Sequence, residues 1–144
     1  MLRINGRNLN VDALLKSTSL TERNSATTVY RRGEPFLPRT QPNGRRQYSG
    51  VNICISDAGF REFGKQIKHA IKSLQKNRRL LKRLISFKGV DGAVLDFGIA
   101  YREGFAQFDH LPAQLINLAG ELGLAIEISH YPVSKPSANS CKRS

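Results

Sequence analysis

Ala93-Val94-Leu95-Asp96-Phe97-Gly98-Ile99-Ala100-Tyr101 decides the fold. In an extended chain, Leu95, Phe97, Ile99 and Tyr101 share one face, and Val94, Asp96, Gly98 and Ala100 share the other. A strand with one apolar and one polar row belongs to a sheet covered on a single side. Val51, Ile53 and Ile55 alternate with Asn52, Cys54 and Ser56 in the same way, as do Leu2 and Ile4 with Arg3 and Asn5. Leu124, Ile126 and Ile128 form the inward row of a last strand.

Helical signals are interleaved with these strands. Asn10 can cap a helix beginning Val11-Asp12-Ala13-Leu14-Leu15-Lys16, with Asp12 favourably placed in its first turn. Pro112 opens a short helix carrying Leu115, Leu118, Ala119 and Leu122, and Gly123 closes it. A short strand is expected around Val29, ending at Gly33. Arg102-Glu103-Gly104 suits a hairpin turn into a strand at Phe105 to Phe108. Residues 17–28 and 33–50 read as loops, the second punctuated by Pro35, Pro38, Pro42 and Asn43-Gly44. The expected order is β-α-β-β-α-β-β-α-β. It predicts an α/β (α+β) fold: a two-layer sandwich with a mixed, mostly antiparallel sheet and helices on one face. Residues 1–131 form one domain, and 132–144 a disordered basic tail.

The longest helical pattern runs from Phe60 to Ile85. At 100° per residue, Phe60, Phe63, Ile67, Ala70, Ile71, Leu74, Leu81 and Ile85 fall in one stripe. Lys65, Lys68, Lys72, Lys76, Arg79 and Arg83 fall on the opposite face. This predicts one long basic amphipathic helix of roughly 40 Å, against a radius of gyration of about 14–15 Å for a domain this size. Such a rod must overhang the body or break near Asn77, where Arg78 also interrupts the apolar stripe. An overhang would offer Leu80, Leu81, Leu84 and Ile85 to a second copy, so a homodimer through this helix is an expectation.

The charge is concentrated. The 144 residues carry 23 Lys and Arg against 11 Asp and Glu, a net +12. Between Phe60 and Lys88, ten of the basic side chains face a single acid, Glu62; between Arg31 and Arg46, five arginines face only Glu34. The rest of the chain is close to neutral. At 40% hydrophobic residues a packed core is affordable, and no apolar run is long enough to span a membrane. The N-terminal residues lack a secretory h-region. Two cysteines, Cys54 and Cys141, are too few for a disulfide framework or a four-ligand zinc site. A cytoplasmic location follows as the expectation.

Little in the sequence suits catalysis. There is no Walker A, nucleophile elbow, Gly-x-Gly-x-x-Gly or His-Glu-x-x-His. His69, His110 and His130 show no local metal-ligand spacing, Asp109-His110 reads as a helix cap, and Cys54 as a small buried hydrophobe. Asp96 and Glu127 could converge on one sheet face as a carboxylate pair, the basis of an alternative reading as a small-molecule enzyme. Ion pairing is the simpler role. No catalytic residue, metal or cofactor is expected. The basic stripe is the strongest feature outside the core, with Arg31, Arg32, Arg45 and Arg46 as a second group. Such a face suits phosphates or an acidic protein, though a merely solvated basic face explains it too. The stripe lacks a stacking residue, and only Tyr30 and Tyr48 lie in or beside the arginine-rich segment, which argues against recognition through bases.

Several segments resemble uncharacterised bacterial α/β domains of this length: Tyr30-Arg31-Arg32-Gly33-Glu34-Pro35, Ser49-Gly50-Val51-Asn52-Ile53, Leu95-Asp96-Phe97-Gly98-Ile99 and Leu118-Ala119-Gly120-Glu121-Leu122-Gly123. The likeness covers residues 1 to about 132. Some such domains accompany toxin-immunity loci, so the resemblance implies a non-catalytic, immunity-like protein-binding module and marks no functional residue. The combined expectation is a non-enzymatic binding protein for an acidic protein surface, with a nucleic-acid backbone as the alternative partner and no membrane.

Overall fold

The computed structural model describes residues 1–20, 26–36, 44–102 and 104–132. The expected basic tail lies outside these residues beyond Pro132. The elements in chain order are β1 (Leu2–Gly6), α1 (Val11–Thr18), β2 (Thr27–Tyr30), β3 (Ser49–Ile53), α2 (Phe63–Lys76), α3 (Arg78–Ile85), β4 (Gly92–Ala100), α4 (Ala113–Leu122) and β5 (Ala125–Tyr131). The five strands form one mixed sheet in the order β2-β3-β1-β4-β5. Only β4 and β5 run parallel, joined through α4; the other neighbours are antiparallel. The fold is the two-layer α/β sandwich that the one-sided strands predict.

Leu2 and Ile4 of β1, Val51 of β3 and Leu95 and Phe97 of β4 enter a common core with Leu14, Ile67, Leu74, Leu84, Leu115 and Leu122 from the four helices. The alternate residues Arg3, Asn5, Asn52, Asp96 and Gly98 therefore face away from the helices. Phe63 meets Phe97 edge-on at 5.6 Å, which seats the start of α2 on β4. Buried Gln66 strengthens that seat, donating from Nε2 to the carbonyls of Gly59 at 3.0 Å and Gly98 at 2.8 Å. On the opposite face, Phe60 and Tyr131 stack at 4.8 Å across Gly98.

Cys54, expected as a small buried hydrophobe, is half-buried and disulfide-bonded, and the helix expected from Phe60 starts at Phe63, leaving Phe60 on the other face of the sheet. Three further expectations need correction. First, the basic segment is two helices, not one rod: α2 has 14 residues, α3 has 8, and they break at Asn77. Asn77 donates from Nδ2 to the Ser73 carbonyl at 3.1 Å, ending α2, and its own carbonyl accepts from Leu81 N–H at 2.9 Å, starting α3. The second half stays packed on the body. Leu81 and Leu84 are buried in this chain's own core, and Leu80 and Ile85 pack against it. Second, Phe105 to Phe108 is not a strand. Tyr101, Arg102 and residues 104–112 lie outside any helix or strand, between β4 and α4, and Phe105 and Phe108 are exposed. Aromatic residues favour strands, but among the described residues no strand pairs with them.

Third, Asp109 does not cap α4, whose preceding residue Pro112 makes no side-chain cap. Its carboxylate accepts instead from Arg102 Nη2 at 2.7 Å and Gln107 Nε2 at 2.9 Å, with His130 Nε2 at 3.5 Å, and so ties the connection together. Two smaller features follow the sequence closely. Asn10 caps α1, accepting from Ala13 N–H at 3.0 Å. The described ends of segment 33–50 pair as a short ribbon, with Gly33 N–H donating to the Arg46 carbonyl and Phe36 N–H to that of Gly44.

Candidate functional site

The ten basic residues singled out from the sequence fall on two surfaces. Lys65, Lys68, Lys72, Lys76, Arg79 and Arg83 lie on the solvent side of α2 and α3, all exposed. Two of them have partners within the chain. Lys65 Nζ lies 3.3 Å from Glu62 Oε1, and the Arg83 guanidinium donates to the Ser17 carbonyl on α1. Glu62 is held below the usual carboxylate range, first by the Gly59 N–H it accepts from and then by Lys65. Lys68, Lys72, Lys76 and Arg79 make no ion pair among the described residues. Arg78, which interrupts the apolar stripe, bonds Glu121 of α4 at 2.6 Å. The bend at Asn77 opens a notch of about 530 Å³ lined by Gln75, Lys76, Asn77, Arg78, Arg79 and Leu80. The four unmet cations therefore run along α2 into a concave basic notch.

The arginine-rich segment builds a different surface at the β2 end of the sheet. Arg31 is neutralised locally: its Nη2 lies 2.6 Å from Asp12 Oδ1, and its Nη1 3.7 Å from Glu34. The Arg31 hydrogen bond depresses the Asp12 carboxyl. The other described arginines of the segment are fixed by backbone carbonyls or by rings. Arg45 Nη1 donates to the Gly33 carbonyl at 2.9 Å, and Arg32 Nη1 to that of Arg7 at 3.4 Å. Arg46 lies 4.6 Å from the Tyr30 ring centre and 5.4 Å from that of Phe36, and Arg7 lies 5.9 Å from the Tyr48 ring. Tyr30 crosses Gly50, where a Cβ would come within 2.4 Å of its hydroxyl. Burial raises the Tyr30 phenol above its ordinary range, opposed by a hydrogen bond with Asn5 and by the Arg46 charge. Asn5, Tyr30, Phe36, Arg46, Gln47 and Tyr48 line an open cleft of about 190 Å³.

Arg7, Asn5, Phe36 and Gln47 are not among the residues singled out from the sequence. The pairing of Pro35 with Arg45 sets Phe36 beside Arg46, and strand register sets Asn5 beside Tyr30 across Gly50. No local motif announces either neighbour.

Asp96 and Glu127 do stand side by side, paired in the β4–β5 register. Arg3 joins them, with Nη2 2.6 Å from Glu127 Oε2 and Nε 3.9 Å from Asp96 Oδ2. Ser129 Oγ donates to Asp96 Oδ1 at 2.8 Å. The adjoining cavity is about 50 Å³. Ser56 Oγ lies 3.0 Å from His69 Nδ1, but Asp57 faces the same ring nitrogen at 3.5 Å. A Ser-His-Asp relay needs the acid on the other nitrogen, so this cluster does not form one. Among the described residues, no group of three or more His, Cys, Asp or Glu could hold a metal ion, and no helix is long and apolar enough to cross a membrane. No family model matches the chain, and neither the curated proteins nor the solved structures contain a significant match.

Proposed function

We propose that this chain is a non-enzymatic binding protein of the bacterial cytoplasm, immunity-like in role, that holds an acidic protein surface against the outer face of α2 and α3. One observation carries the proposal: Lys68, Lys72, Lys76 and Arg79 line one face without an ion-pair partner among the described residues. Like charges at this spacing repel by a few tenths of a kcal/mol per pair, and an incoming carboxylate row relieves that repulsion. The non-enzymatic part draws support from Arg3, which engages both carboxylates that an enzyme reading would use.

A second reading, a nucleic-acid backbone as the partner, is favoured by Arg7, Arg32, Arg45 and Arg46 gathering at one end of the sheet. Titration with a polyglutamate peptide and with duplex DNA separates the two readings. Saturable polyglutamate binding, abolished in the triple variant Lys68→Glu/Lys72→Glu/Lys76→Glu, is the expected result. Duplex binding whose log K falls by about 0.9 per neutralised phosphate with log salt, and no polyglutamate binding, would replace the first reading by the second. Binding of neither polymer at low salt overturns both.

A further inference from the structure

We propose that the open cleft lined by Asn5, Tyr30, Phe36, Arg46, Gln47 and Tyr48 receives an unpaired base of a single-stranded nucleic acid. The site goes beyond the helix-face reading. Asn5 and Tyr30 flank Gly50 on the sheet face turned away from the four helices, so the two surfaces are tested separately.

The chemistry of the walls selects the ligand. The Arg46 guanidinium lies 4.6 Å from the Tyr30 ring centre and 5.4 Å from that of Phe36, a planar cation set beside two aromatic rings. Tyr48 is 43% exposed and presents a second ring, with Arg7 over it at 5.9 Å. Rings and guanidinium planes are the surfaces on which splayed bases stack. Asn5 and Gln47 place side-chain amides in the same cleft, each with donor and acceptor groups able to meet a base edge. Asn5 keeps capacity beyond its bond with the Tyr30 hydroxyl.

Size and charge narrow the choice further. The cleft opens to solvent, and about 190 Å³ matches the size of one planar ring system. Arg32 and Arg45 stand nearby, steadied by the carbonyls of Arg7 and Gly33, as cations for the flanking phosphates. A carboxylate-rich partner would have no use for aromatic walls, and a duplex keeps its base faces stacked inside. Single-stranded nucleic acid satisfies rings, amides and cations together.

Tyrosine fluorescence tests the site on the full chain, which has four tyrosines and no tryptophan. Titration with a short single-stranded oligouridylate should quench the emission saturably. Tyr48→Ala should weaken binding roughly tenfold or more, the range measured when a stacking residue is lost. Tyr48→Phe keeps the ring and should bind like the parent. Arg46→Lys keeps the charge but loses the plane, and should weaken binding as well. Tyr48 is exposed enough that its loss should leave the melting temperature unchanged, which excludes unfolding as the cause. The triple variant Lys68→Glu/Lys72→Glu/Lys76→Glu should keep the dependence on Tyr48, even if polyglutamate binding is gone. Equal affinity of Tyr48→Ala and the parent overturns the proposal. So does equal quenching by a duplex of the same length, or no binding of the oligonucleotide.

Discussion

Arg3 on β1 reaches over β4 to bond Glu127 on β5, Nη2 to Oε2 at 2.6 Å. It is a clamp across three strands, and it passes Asp96 on the way. Replacing Arg3 by Met keeps much of the apolar stem but removes the clamp. Because Arg3 and Glu127 are partly exposed, the loss should be small, up to about 1 kcal/mol. Urea denaturation of Arg3→Met at low and high salt checks this. The deficit should shrink as salt screens the parent's ion pairs. A loss of several kcal/mol, independent of salt, would mean that Arg3 acts mainly through packing.

The bend at Asn77 makes a prediction about Leu84. Had α2 and α3 been continuous, Leu81 and Leu84 would project beyond the body and suit a second copy. Instead both are buried among this chain's own residues, Leu84 completely. Leu84→Ala should therefore cost about 2–5 kcal/mol, the usual range for a buried leucine whose cavity does not collapse. The cost should be the same at low and high protein concentration in equilibrium unfolding. A midpoint that moves with concentration in the parent, and not in the variant, would place Leu84 in an interface between copies.

Strands with one polar face were readable because period-two alternation is local: Leu95, Phe97 and Ile99 enter the core as their spacing requires. The Asn10 cap was readable for the same reason, its bond spanning three residues. The helix break was half readable. Arg78 in the apolar stripe marked the place, but only the packing of Leu81 and Leu84 decides between a bend and an overhang. The cleft was not readable. Phe36 reaches Arg46 through a ribbon closed by pairs eight to thirteen residues apart, and Arg7 meets Tyr48 only after β1 and β3 are in register. Phe105 to Phe108 was misread because aromatic composition favours a strand but cannot supply the neighbour it must pair with.

Gly6 ends β1 against the Gly89 turn, and here the absence of a side chain is obligatory. A Cβ on Gly6 would lie 1.8 Å from the Gly89 carbonyl oxygen, and Gly89 itself sits at φ +92°, where other residues are strained. The obstructing atoms are backbone, so a rotamer change cannot relieve the clash. Gly6→Ala should cost at least the 1–3 kcal/mol typical of overpacking, measured by thermal or urea unfolding. Gly64→Ala, where nothing lies within 4 Å of an added Cβ, is the control. As a glycine in the first turn of α2 it should be neutral or slightly stabilising. Equal stability of the two variants would mean that the Gly6–Gly89 contact is not maintained in solution.

Asp109 links the connection after β4 to pH. Desolvation pushes its carboxyl upward, but hydrogen bonds from Gln107 and Arg102, the Arg102 charge and a hydrogen bond from His130 outweigh it and hold the group below its ordinary value of 3.8. A carboxylate depressed in the folded state stabilises the fold fully above its unfolded pKa, and that contribution disappears as the pH falls through the folded value. The loss therefore begins near pH 4 and continues below it, with no change expected between pH 6 and 8 from this group. Asp109→Asn should melt lower than the parent at pH 7, and the gap should close on acidification past the carboxylate range. Thermal melts at pH 7, 5, 4 and 3 measure it. Hydrogen exchange in the connection from Tyr101 to Pro112 should rise in the variant at neutral pH, because Asp109 is where Arg102, Gln107 and His130 converge. A gap that stays constant down to pH 3 would show that Asp109 contributes through its shape and not its charge.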